Sequence, residues 1–191
     1  IHGAAGGVGL AAIQYARHCG AEIFATAGSE EKRDFLRLLG VEHILDSRSL
    51  AFAGAIARIT EGAGVDVVLN SLSGAAVGKN LEVLRPFGRL LELGKRDYYG
   101  NAKIGLRPFR NNIAYFGIDV DQLFKERPDL SSRLLREVMD LFATGVFRPL
   151  SHRVFSSARV AEAFRHMQQS RHIGKIVVAH DGQPVTVKVP R

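Results

Sequence analysis

Tryptophan is absent from this chain, and cysteine occurs once, at Cys19. A single thiol closes no internal disulfide and builds no cysteine zinc site, so the fold must rest on its apolar core. That core is well supplied, with 46% apolar residues across 191 positions. No run is long and apolar enough to span a bilayer. No signal peptide is visible at Ile1, where the chain opens inside a fold, and a cytoplasmic setting is expected. Uninterrupted basic runs are missing too. The net charge is +7, yet lysine and arginine stand singly or in pairs such as Lys32-Arg33 and Lys95-Arg96. Without a basic stripe interleaved with aromatics, this charge argues against nucleic acid and for an anionic cofactor or an acidic partner protein. His166 and His172 are too far apart for a one-turn metal pair, and no acidic cluster accompanies them, so no metal is expected. The Gly-x-Ser-x-Gly elbow of a serine hydrolase is also missing.

What the chain does have is clustered glycine. Residues 3–9 read Gly-Ala-Ala-Gly-Gly-Val-Gly, and a helical apolar pattern starts at once with Val8, Leu10, Ala11 and Ile13. Such a turn lets the backbone reverse sharply, approach a pyrophosphate and pack the helix on its strand. Free N–H groups at the helix start then face the anion. Gly3, Ala5, Gly6, Gly7, Val8 and Gly9 are therefore candidate phosphate-binding residues. Glycine spacing alone is a weak signal, so the context must carry it. Only the tail of a first strand precedes Gly3, and the chain is expected to belong to a longer protein.

The context alternates strand and helix. Strands are expected at 22–26, 41–45, 65–69, 89–93 and 113–118, and helices at 29–39, 52–60, 75–84, 130–144 and 158–169. The strand at 65–69 reads as buried on both faces. Residues 97–112 read as a long polar loop. Short strands at 175–179 and 185–189, joined by Asp181-Gly182, resemble a hairpin with no place in the first sheet. The expected fold is α/β, a doubly wound parallel (Rossmann) sheet followed by a C-terminal segment of an incomplete second lobe. The expected boundaries are 1–145 for the cofactor domain and 146–191 for the return segment. Ligands should bind along the carboxyl edge of the strands.

An NAD site usually carries an acidic residue about 20 positions after the glycine turn, gripping the ribose 2′-hydroxyl. Here that place holds Thr26-Ala27-Gly28-Ser29, with Lys32 and Arg33 one turn on. Ser29 can donate to a phosphate oxygen, and Lys32 can neutralise it, so the expected cofactor is NADPH. Ser29 is equally a good helix N-cap, and the two roles are compatible.

The strings at 2–9 (His-Gly-Ala-Ala-Gly-Gly-Val-Gly), 70–74 (Asn-Ser-Leu-Ser-Gly) and 91–95 (Leu-Glu-Leu-Gly-Lys) occur in this order. Together with 172–177 (His-Ile-Gly-Lys-Ile-Val), they resemble the enoyl reductase domains of polyketide synthases. Those domains belong to the zinc-free medium-chain dehydrogenases and reductases, with quinone reductases and the animal fatty acid synthase enoyl reductase. The resemblance covers essentially the whole chain. It implies a substrate lobe of roughly a hundred residues ahead of the cofactor domain. That lobe is lacking here, and with it any tyrosine proton donor it carries.

The resemblance implies NADPH-dependent reduction of an α,β-unsaturated thioester on an acyl carrier protein. Other synthase domains would lie in the same polypeptide. Lys95 and Asp121 match the proposed acid pair, Asp121 better than Asp119. Read from the residues alone, Lys95 is a loop charge at a ligand-binding edge and Asp121 is equally a helix N-cap. Asn70, Ser71 and Leu72 resemble residues beneath the nicotinamide ribose and carboxamide, which Leu93, Gly94 and Lys95 also approach. Arg48 resembles a position near the adenosine phosphate, although spacing alone makes it a surface arginine. Gly174 and Lys175, in the closing string, are implied contributors to the cofactor site. A homodimer through the 113–118 edge is expected. A stand-alone quinone or alkenal reductase and a non-enzymatic NADP-binding module remain as alternatives.

Overall fold

Residues 1–180 are described by a computed structural model of the chain. Strands β1 (Phe24–Ala27) and β2 (His43–Asp46) pair in parallel, as do β3 (Val65–Asn70), β4 (Leu84–Glu92) and β5 (Ala114–Gly117). Residues 1–4 join the two groups. Ile1 N donates to Phe24 O and Thr26 N to Ile1 O on one side, while His2 N donates to Leu69 O on the other. The spatial order is therefore β2, β1, residues 1–4, β3, β4, β5. Counted along the chain, that is third, second, first, fourth, fifth, sixth, the doubly wound dinucleotide-binding order. The expected Rossmann sheet is present, and its reversal of direction falls between residues 1–4 and β3.

Helices cover the sheet with two apolar cores. Helix α1 (Gly7–His18) buries Gly9, Leu10 and Ile13. With α2 (Glu30–Leu38), which buries Leu36, it seals a core of Ala4, Ala5, Ala25, Ala27 and Val41. Helices α3 (Ala51–Ile59) and α4 (Ala75–Glu82) contribute Phe52, Ile56, Val77 and Leu81 to a second core over Val68, Leu90 and Ile113. Gly9 shows why the turn needs glycine: a Cβ there would lie 2.5 Å from the Ala4 Cα.

Several expectations are corrected. The strand at 65–69 is not buried on both faces, because Asp66 interrupts it and Val67 is 40% exposed. Asp66 instead pairs with Arg85. Strand β4 starts at Leu84, not at 89. Its pairing jumps from Val65↔Leu84 to Val67↔Arg89, so Pro86, Phe87 and Gly88 form an excursion within the strand. The loop at 97–112 contains a short helix α5 (Arg96–Tyr99) and a 3-10 turn at Arg107–Asn111. The helix expected at 130–144 is preceded by another. Helix α6 (Val120–Glu126) breaks before Pro128, where α7 (Pro128–Ala143) begins.

The C-terminal segment differs most. A strand missed in the sequence, β6 (His152–Ser156), pairs in parallel with β7 (Lys175–Ala179), and α8 (Val160–Gln168) connects them. The strand expected at 185–189, and its hairpin turn, lie outside the described residues. This small sheet does have an attachment to the first: Gly174 N donates to Ala5 O at 2.8 Å, and Gly174 bridges Gly6.

Candidate active site

Along the carboxyl edge of the sheet the candidate residues fall into three groups. The first is the glycine turn. Gly3 has φ +60, and Gly6 caps α1 with no side-chain bond and no acid in the first turn. The helix thus presents unpaired N–H groups, a ready anion site. Lys175 belongs here. A Cβ on Gly7 would lie 2.7 Å from Lys175 Nζ, so glycine leaves the lysine room to lie across the helix start. Ala5 and Gly174 hold each other through their backbones. Val8 is exposed beside them.

The second group follows β1. Ser29 stands at the N-cap of α2, yet its side chain makes no capping bond, so its hydroxyl is available to a ligand. Lys32 donates to Ser170 O at 2.7 Å. Burial lowers its pKa, as does the nearby Arg48, against the attraction of Glu31. Arg48 lies against Gly28. Arg33, by contrast, is spent on Glu30, Asp46 and the Ala27 carbonyl. Thr26 is placed otherwise than a cofactor ligand: it is buried, its hydroxyl hydrogen-bonds His2 Nδ1 at 2.9 Å, and its carbonyl takes Ala4 N. His2 also bonds Asn80 Oδ1 at 2.7 Å, and burial pushes its pKa down to about 4.

The third group joins the loops after β3 and β4. Asn70 is fully buried. It accepts from Leu72 N and donates to Leu72 O, fixing the first turn of the loop. Its amide also donates to Glu92 Oε2 at 2.5 Å, while Glu92 Oε1 accepts Gly94 N at 2.7 Å. Leu93 N donates to Asn70 O. Ser71 Oγ lies over Gly3. Asp97 accepts Gly74 N at 2.8 Å and ties the loop after β3 to α5. Glu92 escaped the sequence reading. Its signal was a carboxylate inside the apolar stretch Leu90-Leu91-Glu92-Leu93, and burial raises its pKa.

Lys95 closes this group. Its ammonium donates to Asp119 Oδ1 at 2.8 Å and to Asp121 Oδ2 at 3.5 Å. The expected pair is brought together, but Asp119 is the nearer carboxylate. Asp119 is also the N-cap of α6, accepting Asp121 N, so the capping role expected of Asp121 belongs to its neighbour. The Asp119 bond is the main cause of a raised Lys95 pKa and holds the Asp119 carboxyl low in return.

A parallel sheet in this strand order, with an uncapped glycine turn and cations around it, defines a nucleotide-binding protein of the Rossmann type. The chain belongs to the zinc-binding dehydrogenase family, whose sequence profile matches residues 39–178. It is 45% identical over 192 residues to a mycocerosic acid synthase-like polyketide synthase of Mycobacterium tuberculosis, matching 100% of this chain and 9% of that protein. The crystal structure of the CurK enoyl reductase is 43% identical, with a TM-score of 0.83 over 94% of this chain and 53% of that one. The nucleotide-binding subdomain of the PpsC enoylreductase domain from Mycobacterium tuberculosis is 44% identical. It has a TM-score of 0.73 and covers 78% of this chain and 83% of that one. The resemblance carried by residues 70–74 and 91–95 is borne out. The chain spans 8–9% of the length of the curated relatives it matches.

The family is named for zinc. Among the described residues no three His, Cys, Asp or Glu side chains stand together to hold a metal ion, so the residues do not fit zinc. A dinucleotide fits better: the first two groups offer free N–H groups, a free hydroxyl and cations on one edge. No described helix is long and apolar enough to cross a membrane.

Proposed function

We propose that this chain is the cofactor-binding part of an NADPH-dependent enoyl reductase in a polyketide synthase. Its substrate would be an α,β-unsaturated thioester carried by an acyl carrier protein. The observation that carries this reading is the Lys95–Asp119–Asp121 cluster at the sheet edge, beside the braced loops after β3 and β4. Bound NADPH supplies a hydride for the β-carbon. Asn70 and Glu92 hold the loop backbones from Leu72 to Gly94, so that the edge they form is fixed before ligand arrives. Lys95 places a positive charge where enolate-like charge develops on the thioester oxygen. Its two carboxylates keep it protonated, which suits charge stabilisation better than proton donation. Lys32, Ser29 and Arg48 favour the 2′-phosphate, and Lys175 with the α1 N-terminus favours the pyrophosphate.

The same reading places the chain among other domains of one cytoplasmic polypeptide. It leaves the far edge of β5, paired on one side with β4, for a second copy.

The test is enoyl-thioester-dependent NADPH oxidation by the full-length parent protein. Turnover with a short enoyl-pantetheine is expected. Turnover with quinones but not thioesters would move the assignment to a quinone reductase. No turnover by a folded parent that binds NADP⁺ would leave only a binding module.

A further inference from the structure

Residues 169–174 link α8 to β7 and are held to the cofactor edge at both ends. Lys32 Nζ donates to Ser170 O at 2.7 Å, and Gly174 N donates to Ala5 O at 2.8 Å. His172 lies between these two ties. Its Nδ1 is buried and has no hydrogen-bond partner among the described residues. The described titratable groups that act on it are the cations Lys32 of α2 and Lys175 of β7 and the imidazole of His166 of α8, with no carboxylate among them. Arg48 adds a further cation beside Lys32. Lys32 and Lys175, from two different elements, thus gather positive charge around one unpartnered imidazole nitrogen, an arrangement that an anion would complete.

We propose that His172 is a ligand of the dinucleotide's 2′-phosphate, donating from Nδ1 beside Lys32, so that binding of NADP⁺ takes up a proton. This rests on the NADP reading above. The 2′-phosphate is assigned because Lys32 lies one turn after Ser29 at the end of β1, where the adenosine ribose of a doubly wound fold is read. The pyrophosphate is already served by the start of α1 and by Lys175. In the free chain, burial and then the surrounding cations hold the imidazole below its ordinary pKa, and it is neutral at pH 7. A phosphate dianion reverses that field and draws the proton on. The phosphate's own second pKa is near 6, so a purely cationic pocket would release protons instead. The two mechanisms differ in sign.

The experiment is calorimetric titration of the chain with NADP⁺ at pH 7, in buffers of different ionisation enthalpy, beside His172→Gln. Wild type should take up part of one proton, with affinity falling as pH rises from 6 to 8, by at most about tenfold per unit. Glutamine keeps an N–H donor but cannot titrate. The variant should lose the uptake and flatten the profile, while NAD⁺ binding is unchanged. Equal uptake in both proteins, or none in a wild type that binds NADP⁺, would overturn the proposal. So would equal weakening of NAD⁺ and NADP⁺, which would move the imidazole to the pyrophosphate. Absence of NADP⁺ binding by a folded chain would overturn the cofactor reading and this proposal with it. If the variant does not fold, the wild-type His172 resonance decides: its pKa should rise on saturation with NADP⁺, and an unchanged value refutes the assignment.

Discussion

Lys95 shares its ammonium unequally, 2.8 Å from Asp119 and 3.5 Å from Asp121. All three side chains are accessible to solvent, so the cluster stores little stability and its value lies in where it puts charge. Lys95→Met in the full-length parent should lower kcat roughly a hundredfold while NADPH binding changes little. Asp119→Asn should cost more activity than Asp121→Asn, because it removes the charge at the shorter of the two contacts with Lys95, while the asparagine still caps α6. Steady-state kinetics beside cofactor titrations check this; a larger loss in Asp121→Asn would reverse the order.

Gly9 and Gly7 separate packing from binding. Alanine at Gly9 meets Ala4 backbone and should destabilise the chain by about 1–3 kcal/mol. Alanine at Gly7 meets only the flexible Lys175 side chain, which can move aside. Gly7→Ala should keep the melting temperature within a few degrees and weaken cofactor affinity. Thermal unfolding and titration of both variants test the contrast.

Glu92→Gln swaps an acceptor for a donor opposite two donors, Asn70 Nδ2 and Gly94 N. Loss of one buried bond there should cost about 1–3 kcal/mol. The loops after β3 and β4 should loosen together, visible as faster amide exchange at Leu72 and Gly94. Unchanged exchange at both would show that Glu92 does not brace these loops.

Lys32→Ala should weaken NADP⁺ about tenfold and leave NAD⁺ unaffected, since a charge-assisted bond to phosphate contributes roughly 1.5–3 kcal/mol. Equal binding of the two cofactors by the unaltered chain would refute the 2′-phosphate assignment.

His2 makes stability depend on pH. Its folded pKa is lowered to about 4 from 6.5, chiefly by burial. The unfolded chain therefore binds the proton first. The contribution is complete above pH 6.5 and is lost as pH falls toward 4, by about 3 kcal/mol in total. Denaturant titrations should show this slope, and His2→Gln should flatten it between pH 6.5 and 5.

The sheet and most of the turn chemistry were legible in the sequence because alternation and glycine are local signals. Gly9, Lys95 and Asn70 stood where strand ends demanded. What was not legible depended on distant partners. His152–Ser156 lacks an apolar run, and only its pairing with β7 makes it a strand. Thr26 is expected near the cofactor because of its place at the end of the second strand, and its hydroxyl is instead taken up by His2 on the neighbouring segment. Glu92 looked ordinary until its burial singled it out, and His172 until its unpartnered Nδ1 did.

The bond from Gly174 to Ala5 also has a consequence for synthesis. The two residues lie at opposite ends of the described chain. The glycine turn is synthesised well before β7, and the strand tied to it follows almost the whole of the described sequence. A nascent chain can build the sheet early, but the contact of Lys175 with the start of α1 forms only after Lys175 has emerged and folded back.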